Sequence, residues 1–321
     1  MGFYDGVHLG HQTLIAAVRG RASGDGLTTT VITFDRHPAR VLRPQSAPLL
    51  LCDLDQKLEL LAATGVDRVL VLHFDAERAK ETASDFVTSV LVGAARARLV
   101  VVGEDFHFGH ERHGNVALLE QMGAEHGFEV LGHHLVAADG SDARPELQVS
   151  STAIRRALLE GRLADANEML GRPHELRGPV VDGDKRGRAI GFPTANVAVS
   201  AELLLPADGI YAGHLTRPDG ERLPAAVYIG SRPTFYEDRP ASLLEVHCLD
   251  WEGDLYGEHV SVQLDHRLRP DQRFDTVEAL IAQLAIDCQR ASELARGDRG
   301  STSSARSAAT PTAPTIGVGG T

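Results

Sequence analysis

The sequence predicts two folded parts: an α/β domain built on a parallel sheet, then a small antiparallel β-barrel or sandwich with a C-terminal helix. Three observations carry this reading. In the first half, near-continuous apolar strand runs alternate with amphipathic helical patterns. After about residue 172 the texture changes, and glycine and proline punctuate short runs of strand character. The length, 321 residues, suits about two domains.

The elements follow in order. The opening stretch, MGFYDGVHLGHQTL, is a glycine- and histidine-rich loop that passes straight into a helical pattern. LTTTVITF (27–34) is a β-branched run that reads as a buried strand. DLDQKLELLAATG (53–65) has apolar residues at helical spacing and stops at Gly65, a glycine C-cap. VDRVLVL (66–72) is a second strand, 82–97 a helix, and RLVVVG (98–103) a third strand. Such strands imply a parallel sheet covered on both faces, with ligands bound beyond the carboxyl ends of the strands. The loops after Phe34 and Val102 are therefore candidate site walls.

In the second part GIYAGHLTR, LPAAVYIG, SLLEVHCLD and EHVSVQLDHRL read as strands, and PDG (218–220) is a hairpin signal between two of them. A helix is expected over 275–297 with Asp275 as its N-cap. The tail from Asp298 is rich in Ser, Thr, Ala, Gly and Pro and is expected to be disordered. The expected boundaries are 1–172, 173–297 and 298–321.

Composition narrows the function. Hydrophobic residues make up 43% and charged residues 24%, which supports an ordinary folded core. A net charge of −12 opposes non-specific nucleic-acid binding but allows a local phosphate pocket. No apolar run is long enough to span a bilayer, and the first residues lack a signal-peptide pattern. Cys52, Cys248 and Cys288 are far apart, which excludes a disulfide framework and points to a reducing cytoplasm. The expected partners are small molecules rather than nucleic acid or membrane, and the sequence does not fix an oligomeric state.

Three segments of the first part carry chemistry. In DGVHLGH (5–11), Gly6 and Gly10 allow close backbone approach, and His8 and His11 sit at a helix start, where free N–H groups and the dipole attract phosphate. A plain helix-start loop or a metal-binding His pair would explain the same residues. GEDFHFGHERHGN (103–115) lies at a strand's carboxyl end, and its glycines and aromatics suit a flat ligand. VSSTAIRRALLEG (149–161) puts Ser150, Ser151 and Thr152 before a helix with Arg155 in its first turn. These are ordinary caps, or an anion site.

The second part has its own constellation. GDKRGR (183–188) is basic and glycine-rich but is no Walker A loop. In GFPTAN (191–196), Thr194 and Asn196 alternate as on an extended segment, and their oxygens suit a Mg²⁺ already held by nucleotide. Glu245 is a carboxylate inside an apolar strand run, costly unless partnered, used or turned to water.

Taken together, GFYDGVHLGH (2–11), FDRHP (34–38), GEDFHFG (103–109) and SSTAIR (150–155) resemble the HxGH nucleotidyltransferases, and more narrowly the adenylyltransferase half of the bacterial bifunctional riboflavin kinase/FAD synthetase family. GDKRGRAIGFPTANV, GIYAG, IGSRPTF, LLEVHCLD, LYGEHVSVQ and LRPDQRFDTVEAL are similar to the riboflavin kinase half. The chain departs from the usual pattern at Tyr4, where Phe is common, and at Tyr228, where Asn is common.

The resemblance implies a Rossmann-like HxGH domain followed by a riboflavin kinase barrel, with ATP, Mg²⁺ and flavins as ligands. It implies that Gly6, His8 and His11 meet ATP phosphates, that the histidines stabilise charge at the α-phosphate, and that Ser151, Thr152 and Arg155 hold the β and γ phosphates. Asp105, Phe106 and Phe108 would face flavin in the first domain, and Arg269 in the second. Gly183, Lys185 and Gly187 would cradle ATP phosphates, Thr194 and Asn196 would meet Mg²⁺–ATP, and Glu245 would be the general base.

The family places a strand before the opening loop, whereas here only Met1 precedes Gly2. The expectation is a sequence that starts short of that strand, leaving the loop without its anchor and the adenylyltransferase half compromised. The alternatives to a two-activity enzyme are a kinase-only enzyme and a non-catalytic flavin-nucleotide binding protein.

Overall fold

The computed structural model describes residues 1–104, 106–133, 149–183, 186–231, 242–301 and 315–319. Contacts divide them into two units. One holds Met1–Ser150 together with the strand at 315–319, and the other begins at Ser151.

The first unit runs α1 (Leu9–Asp25), β1 (Thr30–Phe34), α2 (Pro38–Leu42), α3 (Leu54–Ala63), β2 (Arg68–Leu72), α4 (Ala83–Phe86), β3 (Leu99–Gly103), α5 (Val116–His126) and β4 (Glu129–His133). Asp53 caps α3 by accepting from Gln56 N at 2.7 Å, and Gly65 follows that helix at φ +73°. The helix expected over 82–97 breaks its period. After α4 the segment Val87–Ala94 is π-helical, and Ala95 N reaches back to Val90 O at 2.8 Å. Val87, Thr88, Val90 and Val92 crowd an ordinary α-turn, and the wider turn still keeps Val87, Val90 and Leu91 in the core.

Parallel pairing of β1 with β2 and of β3 with β4 supports the predicted sheet class. Alternate residues feed two cores. Ile32, Val100 and Val102 pack with Phe86, Val87 and Leu119 on one side, while Val31, Val69 and Val71 pack with Ile15 and Leu61 on the other. The sheet is nevertheless in two pieces. Among the described residues no strand joins β1 to β3, and a cavity of about 560 Å³ is lined by Thr28–Ile32 on one side and Leu99–Val101 on the other. The far edge of β2 carries β11 (Thr315–Gly319), parallel and in register from Thr315 opposite Arg68 to Gly319 opposite Leu72. This strand lies in the stretch expected to be disordered. Its TIGVG sequence holds three β-branched residues, Thr315, Ile316 and Val318, which fits a strand.

The second unit runs α6 (Ser151–Leu159), α7 (Leu163–Leu170), β5 (His174–Val181), α8 (Arg186–Ala189), β6 (Ala195–Val197), β7 (Gly209–Thr216), β8 (Arg222–Ser231), β9 (Ser242–Cys248), β10 (His259–Pro270) and α9 (Val277–Ser301). Its six strands close an antiparallel barrel in the order β10-β5-β6-β9-β8-β7. Along β8, Leu223, Ala225, Val227 and Ile229 are buried and the residues between them are half-buried. This period of two sends one set into the barrel and the other to its outer face. The PDG turn joins β7 to β8, with Gly220 at φ +89° donating to Arg217 O at 2.9 Å.

Two expected boundaries move. The helix pair α6–α7 belongs with the barrel, so the units part at Ser150/Ser151 rather than at 172. Asn167 of α7 explains this: its amide donates to Leu264 O at 2.9 Å and accepts from His174 N at 2.8 Å, tying the helix to β10 and β5. At the other end Thr276, not Asp275, caps α9 by accepting from Ala279 N at 3.1 Å. The helix then runs on to Ser301.

The open edges of β1 and β3 yield a stability prediction. A chain carrying five or six β-branched residues fused ahead of Met1 should melt several degrees higher, because apolar area is buried at about 25 cal/mol per Å² and two ladders gain partners. Thermal unfolding followed by circular dichroism reads this, and an unchanged midpoint would show that the cavity takes no strand.

Candidate active sites

The opening loop is held from the side rather than from below. Gly2 N donates to Ile32 O at 3.1 Å, and Thr33 Oγ1 donates to Phe3 O at 3.0 Å. Leu51 N donates to the Asp5 carboxylate at 3.0 and 3.2 Å, and Gly6 N donates to Cys52 Sγ at 3.2 Å. Lys57, only 2% exposed, donates to Phe34 O at 2.7 Å and Phe3 O at 3.4 Å and lies 4.0 Å over the Phe3 ring. Burial pulls its ammonium down to about 8, offset in part by Cys52, Asp5 and Asp35. The expected loss of anchorage is thus corrected: the loop has lateral anchors that sequence reasoning missed, since Asp5, Cys52 and Lys57 carry no local signal.

The anchors hold an unusual backbone. Tyr4 (φ +57°), Gly6 (φ +76°) and Val7 (φ +40°) all lie in the left-handed region. For a β-branched residue such as Val7 this stores on the order of 1–3 kcal/mol, a strain characteristic of functional sites. The turn delivers His8 to the N-cap of α1 and stacks its ring on His11, with centroids 3.6 Å apart. His11 is half-buried against Tyr4, and its enclosed Nδ1 meets no hydrogen-bond partner among the described residues. Burial, then the neighbouring His8, holds it well below the usual imidazole range, so it is neutral at pH 7.

The other residues predicted for adenylyl transfer, including those of α6 in the second unit, fare differently. Phe108 is in the core, bridged to Gly114 and packed 5.7 Å from Phe86. Half-buried Phe106 stacks on it at 5.6 Å, so Phe108 backs Phe106 and does not itself offer a face to flavin. Asp105 lies outside the described residues. On α6, Ile154, Ala157 and Leu158 are buried, Thr152 is exposed, and Ser151 and Arg155 share a half-buried face one turn apart.

In the second unit the geometry converges. Antiparallel register sets Asn196 of β6 opposite Glu245 of β9, and Glu245 opposite Tyr228 of β8. Thr194 Oγ1 donates to Glu245 Oε2 at 3.2 Å. Two glycines make this closeness possible. A Cβ on Gly183 would fall 2.2 Å from Asn196 Nδ2, and one on Gly187 would fall 2.2 Å from Phe192 O. Lys185, between them, lies outside the described residues. Arg269 lines the site, but its guanidinium grips Asp287 of α9 at 2.8–3.1 Å, so it braces the helix against the barrel.

Two cavities meet at Thr194. The larger, about 570 Å³, takes in Glu245, Tyr228, His247, Phe192 and Phe274. The smaller, about 270 Å³, takes in Arg188, Trp251, Asp254 and Tyr256. His247 Nδ1 donates to Pro193 O, 2.7 Å away, and its place was readable from the period of two that puts it on Glu245's face. Trp251, the sole tryptophan, gave no such signal.

The family described as FAD synthetase matches residues 1–152, and the family described as riboflavin kinase matches residues 170–295. The bifunctional riboflavin kinase/FMN adenylyltransferase of Escherichia coli (strain K12) is 39% identical over 287 residues, covering 89% of both chains. The chain belongs to the bifunctional riboflavin kinase/FMN adenylyltransferase family. A second member, from Listeria monocytogenes, is 40% identical over 90% of this chain and 89% of its own. A crystal structure of a Streptococcus pneumoniae protein described as a macrolide-efflux protein has the same fold, with a TM-score of 0.78 and 32% identity over 89% of this chain and 90% of that one. No helix among the described residues is long and apolar enough to cross a membrane.

The Mg²⁺ that the sequence resemblance implies has oxygen ligands to meet here. Among the described residues no group of three His, Cys, Asp or Glu gathers into a metal cage. Thr194, Asn196 and Glu245 offer hard oxygens in one place, which fits a Mg²⁺ that keeps most of its ligands from nucleotide and water.

Removing Lys57 should loosen the loop and leave the barrel untouched. In Lys57→Met, amide exchange at Gly6 and Val7 should quicken by roughly tenfold or more, equivalent to about 1.4 kcal/mol of lost protection. Unchanged exchange would mean that the carbonyls of Phe3 and Phe34 do not depend on that ammonium.

Proposed function

We propose that the family's two reactions, ATP-dependent phosphorylation of riboflavin to FMN and adenylylation of FMN to FAD, are run here by separate residue sets. The observation that carries the kinase assignment is the Thr194–Asn196–Glu245 constellation between two cavities.

For the kinase, the flavin takes the larger cavity, with its ribityl 5′-hydroxyl at Glu245. The carboxylate accepts that proton as the oxygen attacks the γ-phosphorus. An O–P bond forms, the bond to the β–γ bridging oxygen breaks, and ADP leaves. Thr194 and Asn196 orient the nucleotide's phosphates, and backbone N–H groups at Gly183 and Gly187, with Lys185, cradle them. Mg²⁺, when bound, neutralises charge on the transferring phosphoryl group. Arg269 acts through Asp287 by fixing the cavity wall rather than by touching flavin.

For the adenylyltransferase, the FMN phosphate attacks the α-phosphorus of ATP and pyrophosphate leaves, so catalysis is positioning and charge stabilisation. Gly6, His8 and His11 meet the phosphates. A phosphate beside His11 favours its protonated form and reverses the effect of burial. Ser151, Thr152 and Arg155 hold the β and γ phosphates, while Asp105 and Phe106 face flavin. Small-molecule substrates, a cytoplasmic setting and no nucleic-acid partner complete the reading.

The break between β1 and β3 favours one second reading, a kinase whose front domain is slow or silent. Incubation with riboflavin, Mg²⁺ and ATP, followed by chromatography, separates the two: FMN and FAD are expected, and FMN alone supports the second reading. Glu245→Gln should lower FMN formation by about 10²–10⁴-fold while ATP binding persists. A near-normal kinase rate in that variant would remove Glu245 as the base. Thr194→Ala and Asn196→Ala should shift the Mg²⁺ dependence of FMN formation and leave adenylylation of supplied FMN unaffected. Equal loss of both activities would sink the two-set picture.

A further inference from the structure

We infer that Tyr228 is a flavin-contacting residue that sets the kinase's affinity for its flavin, its ring forming the floor of the larger cavity beside Glu245. This inference rests on the kinase reading of that cavity.

The geometry begins with the strand. Tyr228 faces outward from the barrel on β8, while its neighbours Val227 and Ile229 are buried inward. In the antiparallel register it sits directly opposite Glu245, so both side chains emerge on one face with Cβ atoms about 5 Å apart. Both line the same cavity of about 570 Å³.

The ring does not stand up into that space. Two residues along the same face is Gly230, where an added Cβ would fall 2.2 Å from Tyr228 Oη and 2.4 Å from its Cζ. The phenol therefore lies along the strand, in the room left by the missing Gly230 side chain. A ring laid on a sheet surface presents its π-face to whatever enters. Phe192 and Phe274 border the same cavity, and Asp271, Asp275 and Asp287 join Glu245 on its lining, so aromatic faces stand beside hydrogen-bond acceptors, which suits a flat heteroaromatic body with a hydroxylated arm. The arm's end belongs at Glu245, and the body lies an arm's length away in the same cavity, where the Tyr228 ring extends along the strand toward Gly230. Burial, and the neighbouring carboxylates of Asp271, Asp208 and Glu245, push the phenol up to about 12. The hydroxyl therefore stays protonated and adds no charge beside the base.

The seat provides the test. Riboflavin affinity is read from quenching of its own fluorescence, and kinase KM is measured for riboflavin and for ATP. Tyr228→Ala should raise the riboflavin Kd and KM by about tenfold, within the range of aromatic stacking, with ATP KM moving less than about twofold. Tyr228→Phe, which keeps the ring, should cost less than about threefold. Gly230→Ala should weaken riboflavin in the same direction although every atom of Tyr228 remains, because the new methyl lifts the ring. The double variant Gly230→Ala/Tyr228→Ala should be no worse than Tyr228→Ala alone, since the shorter side chain leaves the methyl room.

An unchanged riboflavin Kd in Tyr228→Ala, or additive losses in the double variant, would overturn the inference. If Tyr228→Ala does not fold, Gly230→Ala decides, because the tyrosine is retained. Glu245→Gln separates this inference from the kinase reading. Lost turnover there with an unmoved Kd in Tyr228→Ala refutes only the role of Tyr228. Normal turnover in Glu245→Gln refutes the assignment of the base, while a raised Kd in Tyr228→Ala still supports the flavin contact.

Discussion

A single cross-strand register underlies the second site. Asn196, Glu245 and Tyr228 stand abreast on β6, β9 and β8, and no loop conformation is needed to bring them together. A slip of one residue along β9 would turn Glu245 into the barrel and Val246 out of it. The apolar inward set, Val227, Ile229, Leu244 and Val246, resists that slip with its whole burial. The hydrophobic core of the barrel and the polar cluster on its outer face are thus specified by one alternation. The glycines at 183 and 187 then admit backbone where any side chain would collide. Rigidity of this kind suits phosphoryl transfer, in which most of the work is holding groups in line.

The opening loop solves a different problem. Its backbone is strained at Val7, and strain persists only where the surroundings over-determine it. Here the determinants come from three separate segments: Asp5 and Gly6 are held by 51–52, Phe3 by Thr33 and Lys57. A buried lysine and a thiol serve as hydrogen-bonding partners for backbone that a sheet would otherwise satisfy. Among the described residues the sheet is open between β1 and β3, and these side contacts hold the loop that presents the histidines.

Much of this was legible in the residues, and what was not has physical reasons. Apolar periodicity gave the strands at 27–34, 66–72 and 98–103 and those of the barrel's second half, because burial on one or both faces writes itself directly into sequence. It did not give β5, whose Gly178-Pro179 pair looks like a turn; there Gly178 lets the strand pass against Ala198, where a Cβ would fall 2.2 Å from its carbonyl oxygen. Spacing in GFPTAN and the isolated Glu245 marked three residues that the fold brings together, since short-range alternation survives folding. The reach of Lys57 to residue 3, and the bond of Arg269 to Asp287, depend on tertiary contact and leave no local trace. Phe108 shows the opposite error: an aromatic near a candidate site was core.

Thr194 borders both cavities of the barrel, and its hydroxyl is already engaged with Glu245. A ligand in either cavity perturbs that one hydroxyl, so the two binding events share a term in their free energy. Such coupling is symmetrical by thermodynamic necessity: whatever factor a ligand in one cavity imposes on affinity in the other, it meets in return. A wall shared through one side chain is thus the shortest route by which occupancy of one cavity can be felt in the other.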